Sequence, residues 1–394
     1  MKKTIRDFNI RNKRVLIRVD FNVPLDKNLN ITDDNRIQGS LPTIKYALEQ
    51  GAKVVLMSHL GRPDGKPVSS MSLSPVAKRL SELLKTEVVQ CSDCIGPRVK
   101  EELKRLDGSC SVALLENLRF NPNEEKNDPE FSKALAENGQ IYINDAFGSS
   151  HRAHASIEGI TKYLPSGAGF LLEKEIKYLG EAMQAPKKPF AAILGGAKVS
   201  DKIGVVENLI EKVDKILIGG AMAYTFLKVQ GVEIGASRFE KDKLDLAKDI
   251  LDKAKKKNVE ILLPVDHVCV QRVDENAPTK TEGPAISAGW FGVDIGPKTI
   301  DLFCKALDPV KTVVWNGPMG IFEMKPFAKG SYEVALKLSQ LQGATTVIGG
   351  GDTAACVIGF GLEDKMSHIS TGGGASLEYL EGKILPGIAA LEDK

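Results

Sequence analysis

The sequence has no apolar run long enough to cross a bilayer, which argues against a helical membrane span. It also has almost no net charge: 53 Lys and Arg against 51 Asp and Glu leave +2. A dedicated nucleic-acid binder is usually strongly basic. The first ten residues, MKKTIRDFNI, carry charges but no apolar core, so they do not read as a secretory signal. These absences set the expectation of a cytoplasmic protein that binds neither nucleic acid nor membrane. Cysteine is sparse and scattered, at 91, 94, 110, 269, 304 and 356. Only Cys91 and Cys94 form a C-x-x-C, and a zinc ribbon needs a second such pair. Free thiols in a reducing compartment are the simpler reading. Neither G-x-x-x-x-G-K-[ST] nor a complete G-x-G-x-x-G occurs, so the P-loop and the dinucleotide fingerprint are both missing.

What is present is the pattern of a soluble α/β enzyme. The chain has 394 residues, 42% hydrophobic and 26% charged, a length that suggests two domains. Short Val- and Ile-rich runs alternate with longer amphipathic stretches. In the first half they lie at 14–19, 53–58, 87–90, 112–115 and 141–144; in the second, at 191–194, 215–218, 260–264, 312–315, 345–348 and 368–370. Most are apolar on successive residues, as in parallel strands covered by helices on both faces. The expected fold is therefore two doubly wound, Rossmann-like parallel-sheet domains. Between them, Leu172, Ile176, Leu179 and Met183 share one helical face, and Pro186 and Pro189 stop the run. A connecting hinge helix over 171–188 is expected, with domains at 1–170 and 189–375. The lysine-rich segment 241–257 reads as a helix with a solvated face.

Ligands in such sheets bind outside the carboxyl ends of the strands. After the first-half strands, or near them, come Asp20, Asn22, Arg36, His59, Gly61, Arg62, Arg119, His151 and Arg152. Arginine forks match carboxylate and phosphate, so four on separate loops point to a small, highly charged anion. The competing reading pairs each with a nearby acid, such as Asp33 or Asp34 for Arg36. His151 and His154 lack acid or cysteine partners spaced for a metal site. His59 and His151 are expected to hydrogen-bond the anion, and His154 to be structural.

After the second-half strands come glycines: GGAKVSDK (195–202), GGAMAYTF (219–226), NGPMGIFE (316–323), GGGDTAA (349–355) and TGGGAS (371–376). Glycine lets a ligand approach the backbone, and amides at a helix start bind phosphate without side chains. Several such turns in one domain predict a nucleotide site. Lys198 and Lys202 lie four apart and would share a face if their stretch is helical. Asp352, set among glycines, is a candidate magnesium ligand. Tight helix–strand packing is the alternative account of any single glycine turn.

Taken together, RVDFNVP, SHLGRP, ENLRF, NDAFGSSHRAHAS, GGAKVSDKI, VVWNGPMGIFE, VIGGGDTAA and HISTGGGASLEYLEG resemble the signatures of the phosphoglycerate kinase family, in order, over essentially the whole chain. The resemblance implies reversible phosphoryl transfer between 1,3-bisphosphoglycerate and ADP, giving 3-phosphoglycerate and ATP, by direct in-line transfer after domain closure. It implies that Asp20, Asn22, His59, Gly61, Arg62, Arg119, His151 and Arg152 bind phosphoglycerate, and that Arg36, Lys202, Gly351 and Gly373 face the transferred group. It implies a nucleotide site of Gly196, Lys198, Lys202, Gly219, Gly220, Gly292, Asn316, Glu323, Gly350, Gly351, Asp352 and Thr353, with Mg2+ at Asp352. It further implies a monomer whose tail, 376–394, packs back on the first domain. Thr353 stands where many members have serine, and the hydroxyl is kept. Such chemistry asks for positioning and charge stabilisation, and the sequence presents no convincing nucleophile–base pair. An NAD-dependent dehydrogenase would want the missing fingerprint. A non-catalytic nucleotide binder would not need the arginine rim.

Overall fold

The computed structural model describes residues 1–108 and 110–394. The chain divides into two compact units, Met1–Glu175 with Ile384–Lys394, and Ile176–Lys383. The division falls inside the helix Phe170–Gln184, where Leu172, Leu179 and Met183 are buried.

In the first unit, β1 (Arg14–Arg18), β2 (Lys53–Met57), β3 (Val88–Gln90), β4 (Val112–Leu114), β5 (Ile141–Asn144) and β6 (Ser166–Ala168) form one sheet in the order β3-β4-β2-β1-β5-β6. Every pairing is parallel. Val15, Ile17, Val54, Leu56 and Ile143 pack with Ile37 and Ile44 of the helix Asn35–Glu49 in the apolar core. Burial of each such side chain is worth about 1.5–3 kcal/mol, so the helix and sheet hold each other in place. Strand order reverses between β1 and β5, which puts the ligand crevice at their carboxyl ends.

The sequence pattern missed β6. Its residues, Ser166, Gly167 and Ala168, have no apolar bulk, yet they pair with Tyr142, Ile143 and Asn144. The tail joins this unit from Ile384, later than the expected 376. Asn144 Nδ2 donates to Gly387 O at 2.9 Å, and Lys3 N donates to Glu392 O at 2.8 Å. Residues 376–383 stay with the second unit, where Asn208 Nδ2 donates to Leu380 O at 2.7 Å.

The second unit repeats the plan with β7 (Phe190–Leu194), β8 (Lys215–Ile218), β9 (Glu260–Leu262), β13 (Thr312–Asn316), β14 (Thr345–Gly349) and β15 (His368–Ile369). The order is β15-β14-β13-β7-β8-β9, all parallel, with the switch between β7 and β13. A small antiparallel sheet is inserted: β10 (His267–Val270), β11 (Lys280–Glu282) and β12 (Phe291–Ile295), in the order β11-β10-β12. The sequence reading did not find it, because its strands are short and β11 is polar. The lysine-rich segment forms the helix Leu244–Lys256, with Ala247, Ile250 and Ala254 buried.

Candidate active site

In the first unit the site grows from the ends of β1, β2, β4 and β5. Asn22 Oδ1 accepts from Gly61 N at 2.9 Å, and Gly61 O accepts from Arg119 Nη1 at 2.9 Å. Arg119 also reaches Glu125 at 3.1 Å, and only 11% of its side chain is exposed. Arg36 lies in the first turn of the helix Asn35–Glu49, not in a free turn, and its Nη1 bonds Asp20 Oδ2 at 2.6 Å. Its partner is thus another candidate site residue, neither Asp33 nor Asp34. Asp34 instead bonds Gln38 and Arg79. Arg62 and Arg152 are exposed, and Arg152 Nε donates to His151 Nε2 at 3.2 Å.

One member of this cluster was missed from sequence. Arg18, at the end of β1, is 1% exposed. Its Nη2 lies 3.1 Å from His59 Nδ1, and its Nε donates to Ser156 Oγ at 3.0 Å. A guanidinium survives there because Val19 O accepts from it and the buried carboxylate of Glu124 lies near enough to interact electrostatically. The signal was present in RVLIRV: a lone charge closing an apolar strand.

Burial, then the guanidinium charges of Arg18, Arg119 and Arg36, hold the His59 imidazole well below its ordinary pKa. Burial, then Arg18, Arg119 and Arg152, lowers that of His154 to about 3. These causes show that Arg18, Arg36, Arg119, Arg152, His59 and His154 share one electrostatic neighbourhood. Burial also pulls the Arg119 pKa down, against the opposing pull of Glu125. Guanidinium groups gathered in this way suit a multiply charged anion. Both rings are expected to stay neutral through the physiological range, since a neutral imidazole escapes the repulsion of its neighbours. Proton NMR of ligand-free enzyme should find neither His59 nor His154 titrating between pH 7 and pH 5; a midpoint near 6.5 for either would contradict this environment.

In the second unit a cavity of about 390 Å3 is lined by Gly196, Gly220, Gly292, Glu323 and Asp352 among others. Its walls mix backbone and apolar side chains, as a nucleoside site requires. Tyr224 and Arg238 also line it and were not singled out from sequence.

The glycine turns fall into two kinds. Around the switch point they pack backbone on backbone: Gly196 N donates to Pro318 O at 3.1 Å, and Gly220 N to Met319 O at 3.0 Å. A Cβ at Gly220 would lie 2.5 Å from Gly196 N, and a φ of +66° favours glycine there as well. Gly350 is different. With φ at +87° it precedes the helix Gly351–Gly359, which has no side-chain cap, so its first amides are open to an anion. Gly373 stands likewise before the helix Gly374–Leu380.

Lys202 meets Asn316 Oδ1 through its ammonium. Burial lowers the Lys202 pKa, against the opposing pull of Asp201 and Asp352. Asn316 is fully buried, and its Nδ2 has no partner in the structure. It sits under the Gly350 turn, not in the cavity wall, because a Cβ on Gly350 would lie 2.9 Å from that Nδ2. Thr353 is buried and its Oγ1 accepts from Gly317 N at 2.7 Å, a bond that joins two turns. Gly219 packs against Met319. Lys198 is exposed, and the regular helix begins only at Ile203, after a 3-10 turn over Ser200–Lys202. Glu240 pins that turn by accepting from Ser200 N at 3.0 Å and Ser200 Oγ at 2.6 Å. The expected shared face of Lys198 and Lys202 therefore rests on a turn and not on a helix.

Asp352 is exposed in the first turn of its helix. Among the described residues no three His, Cys, Asp or Glu side chains gather to hold a metal. Burial pushes the Cys91 thiol up to about 12 and also raises that of Cys94 well above its usual range, so neither is poised as a thiolate.

The model of the phosphoglycerate kinase family matches residues 5–383. The chain is 58% identical to a phosphoglycerate kinase of Gloeothece citriformis and 57% identical to one of Thermosipho africanus. Each match covers all of this chain and, respectively, 99% and 98% of the relative. Among solved structures it is similar to the phosphoglycerate kinase of Coxiella burnetii, with a TM-score of 0.90 and 41% identity over 99% of this chain and 98% of that one. The same holds for the enzyme of Pyrococcus horikoshii, with a TM-score of 0.84 and 35% identity over the same shares.

Proposed function

Because the chain belongs to the phosphoglycerate kinase family, and so catalyses reversible phosphoryl transfer between 1,3-bisphosphoglycerate and ADP in glycolysis, we propose a division of labour among its residues. The first unit holds phosphoglycerate. Arg62, Arg119, Arg152 and His151, with Asp20, Asn22, His59 and Gly61, bind its non-reacting end, while Arg36 approaches the group in flight. The second unit holds the nucleotide: the cavity at Gly196, Gly220, Gly292 and Glu323 takes the nucleoside. Lys198, Lys202 and the amides after Gly350 and Gly373 take the phosphates. Asn316, Thr353 and Gly219 act from behind, by fixing Lys202 and the turns.

The observation that carries this reading is the separation of charge types. One unit offers a cluster of guanidiniums, with Arg62 and Arg152 exposed at its rim; the other offers open amides, lysines and a mixed cavity. Phosphoryl transfer needs little more than positioning and stabilisation of spreading negative charge. With the anion on one unit and the nucleotide on the other, transfer requires the units to close about the 171–188 connection, which also excludes water. Transfer is then direct and in line. Asp352 would hold Mg2+ jointly with the nucleotide phosphates. A single carboxylate suits a cation that binds mainly to phosphate and keeps its waters. A monomeric, cytoplasmic enzyme completes the proposal.

A coupled assay with ATP and 3-phosphoglycerate, with and without magnesium, tests it. Turnover should require all three components. Asp352→Asn should weaken magnesium-dependent turnover and leave 3-phosphoglycerate affinity nearly intact. Unaltered magnesium dependence in that variant would remove Asp352 from the metal's site.

A further inference from the structure

Behind the nucleoside cavity lies a buried polar pair that the roles above do not use. Tyr224, in the helix Ala223–Val229, is 4% exposed, and its Oη is 3.3 Å from Nδ1 of His267, which is 1% exposed. The rings are tilted by 46° with centroids 5.3 Å apart. Cys269, Ile286 and Leu227 surround Tyr224 in a small apolar cluster. The hydroxyl fills an unusual place. A Cβ built on Gly292 would fall 1.6 Å from Tyr224 Oη and 2.5 Å from its Cζ. Tyr224 thus occupies the position that a side chain at residue 292 would take, and both residues line the cavity. The same strand residue is held from the other side, where Gly292 N donates to Ser237 Oγ at 3.0 Å.

We propose that Tyr224, oriented by His267, is a positioning residue for the nucleoside: it sets the depth of the slot by fixing how closely the β12 backbone at Gly292 can approach the helix. The inference rests on the nucleoside reading of this cavity. A hydroxyl in apolar surroundings is worth keeping only when partnered, and His267 supplies that partner. Loss of the hydroxyl removes this contact with His267 and lets the floor of the slot sink.

Steady-state kinetics test this on five enzymes: wild type, Tyr224→Phe, Gly292→Ala, the double variant Gly292→Ala with Tyr224→Leu, and Glu323→Ala. Tyr224→Phe should raise the KM for ADP and ATP on the order of tenfold, with kcat and the KM for 3-phosphoglycerate close to wild type, as expected for lost uniform binding. Gly292→Ala should raise the nucleotide KM more steeply, because its methyl meets Tyr224. Tyr224→Leu added to it should recover part of the loss by vacating that space. Equal changes in both substrates' KM values would reduce the pair to a general stability element. An unchanged nucleotide KM in Tyr224→Phe, or no recovery in the double variant, would overturn the proposal. If wild type bound no nucleotide in this cavity, shown by Glu323→Ala leaving nucleotide KM untouched, the nucleoside reading itself would fall.

Discussion

Arg36→Ala should lower kcat by about 10³, the scale seen for arginines that meet the transferred phosphoryl group, while nucleotide affinity and thermal stability stay near wild type. The structure separates the two sides of this expectation. Arg36 is 42% exposed along its side chain and pairs with Asp20. Exposed pairs contribute about 0.2–1 kcal/mol, which in a protein of this size moves the melting temperature by about 4 °C at most. A purely structural arginine would therefore change little of anything. An arginine that stabilises charge only in the transition state lowers kcat without raising KM. Asp20 holds the guanidinium in the structure. Steady-state kinetics with both substrates, and a melting curve, decide between these roles: a variant within about tenfold of wild-type kcat has lost no catalytic group.

Lys202→Ala should cost about 10² to 10³ in kcat, the loss typical of one preorganised electrostatic donor, and should also destabilise the fold. Here the two effects go together for a reason. The Lys202 ammonium is partly buried against Asn316, and Asn316 already has one buried amide nitrogen without a partner. Removal of the lysine leaves the Asn316 carbonyl oxygen unpaired as well, at about 1–3 kcal/mol. Lys202→Arg should keep the charge but recover little rate, because a planar fork cannot replace a compact ammonium in that space. Calorimetric ADP affinity, measured beside kcat, separates binding from chemistry. A variant with weakened ADP binding and normal kcat would make Lys202 a ground-state contact only.

Much of this was legible in the sequence because both sheets are buried on two faces. Unbroken apolar runs such as KVVLM and FAAIL announce themselves, and the turns after them supply the candidate site residues. Ser166–Ala168 was not legible, since small residues carry no apolar bulk to mark a strand, although all three are buried where they pair with β5. The 267–295 insertion escaped because Lys280, Thr281 and Glu282 have no apolar face. Arg18 was hidden inside a strand motif, and Tyr224 inside a helix whose pattern was apolar anyway. The glycines were legible as a group and not individually. Gly220 and Gly350 both combine a positive φ with a close neighbour, Gly196 N for one and Asn316 Nδ2 for the other, and only three-dimensional packing reveals which atoms those are.

The most direct test of the account is whether the two units close on their reactants. Small-angle scattering should be recorded on the enzyme alone, with each substrate singly, and with both in a mixture shown to turn over. The account predicts a smaller radius of gyration only when both sites are filled. A radius of gyration that stays the same in the active, saturated mixture would contradict it.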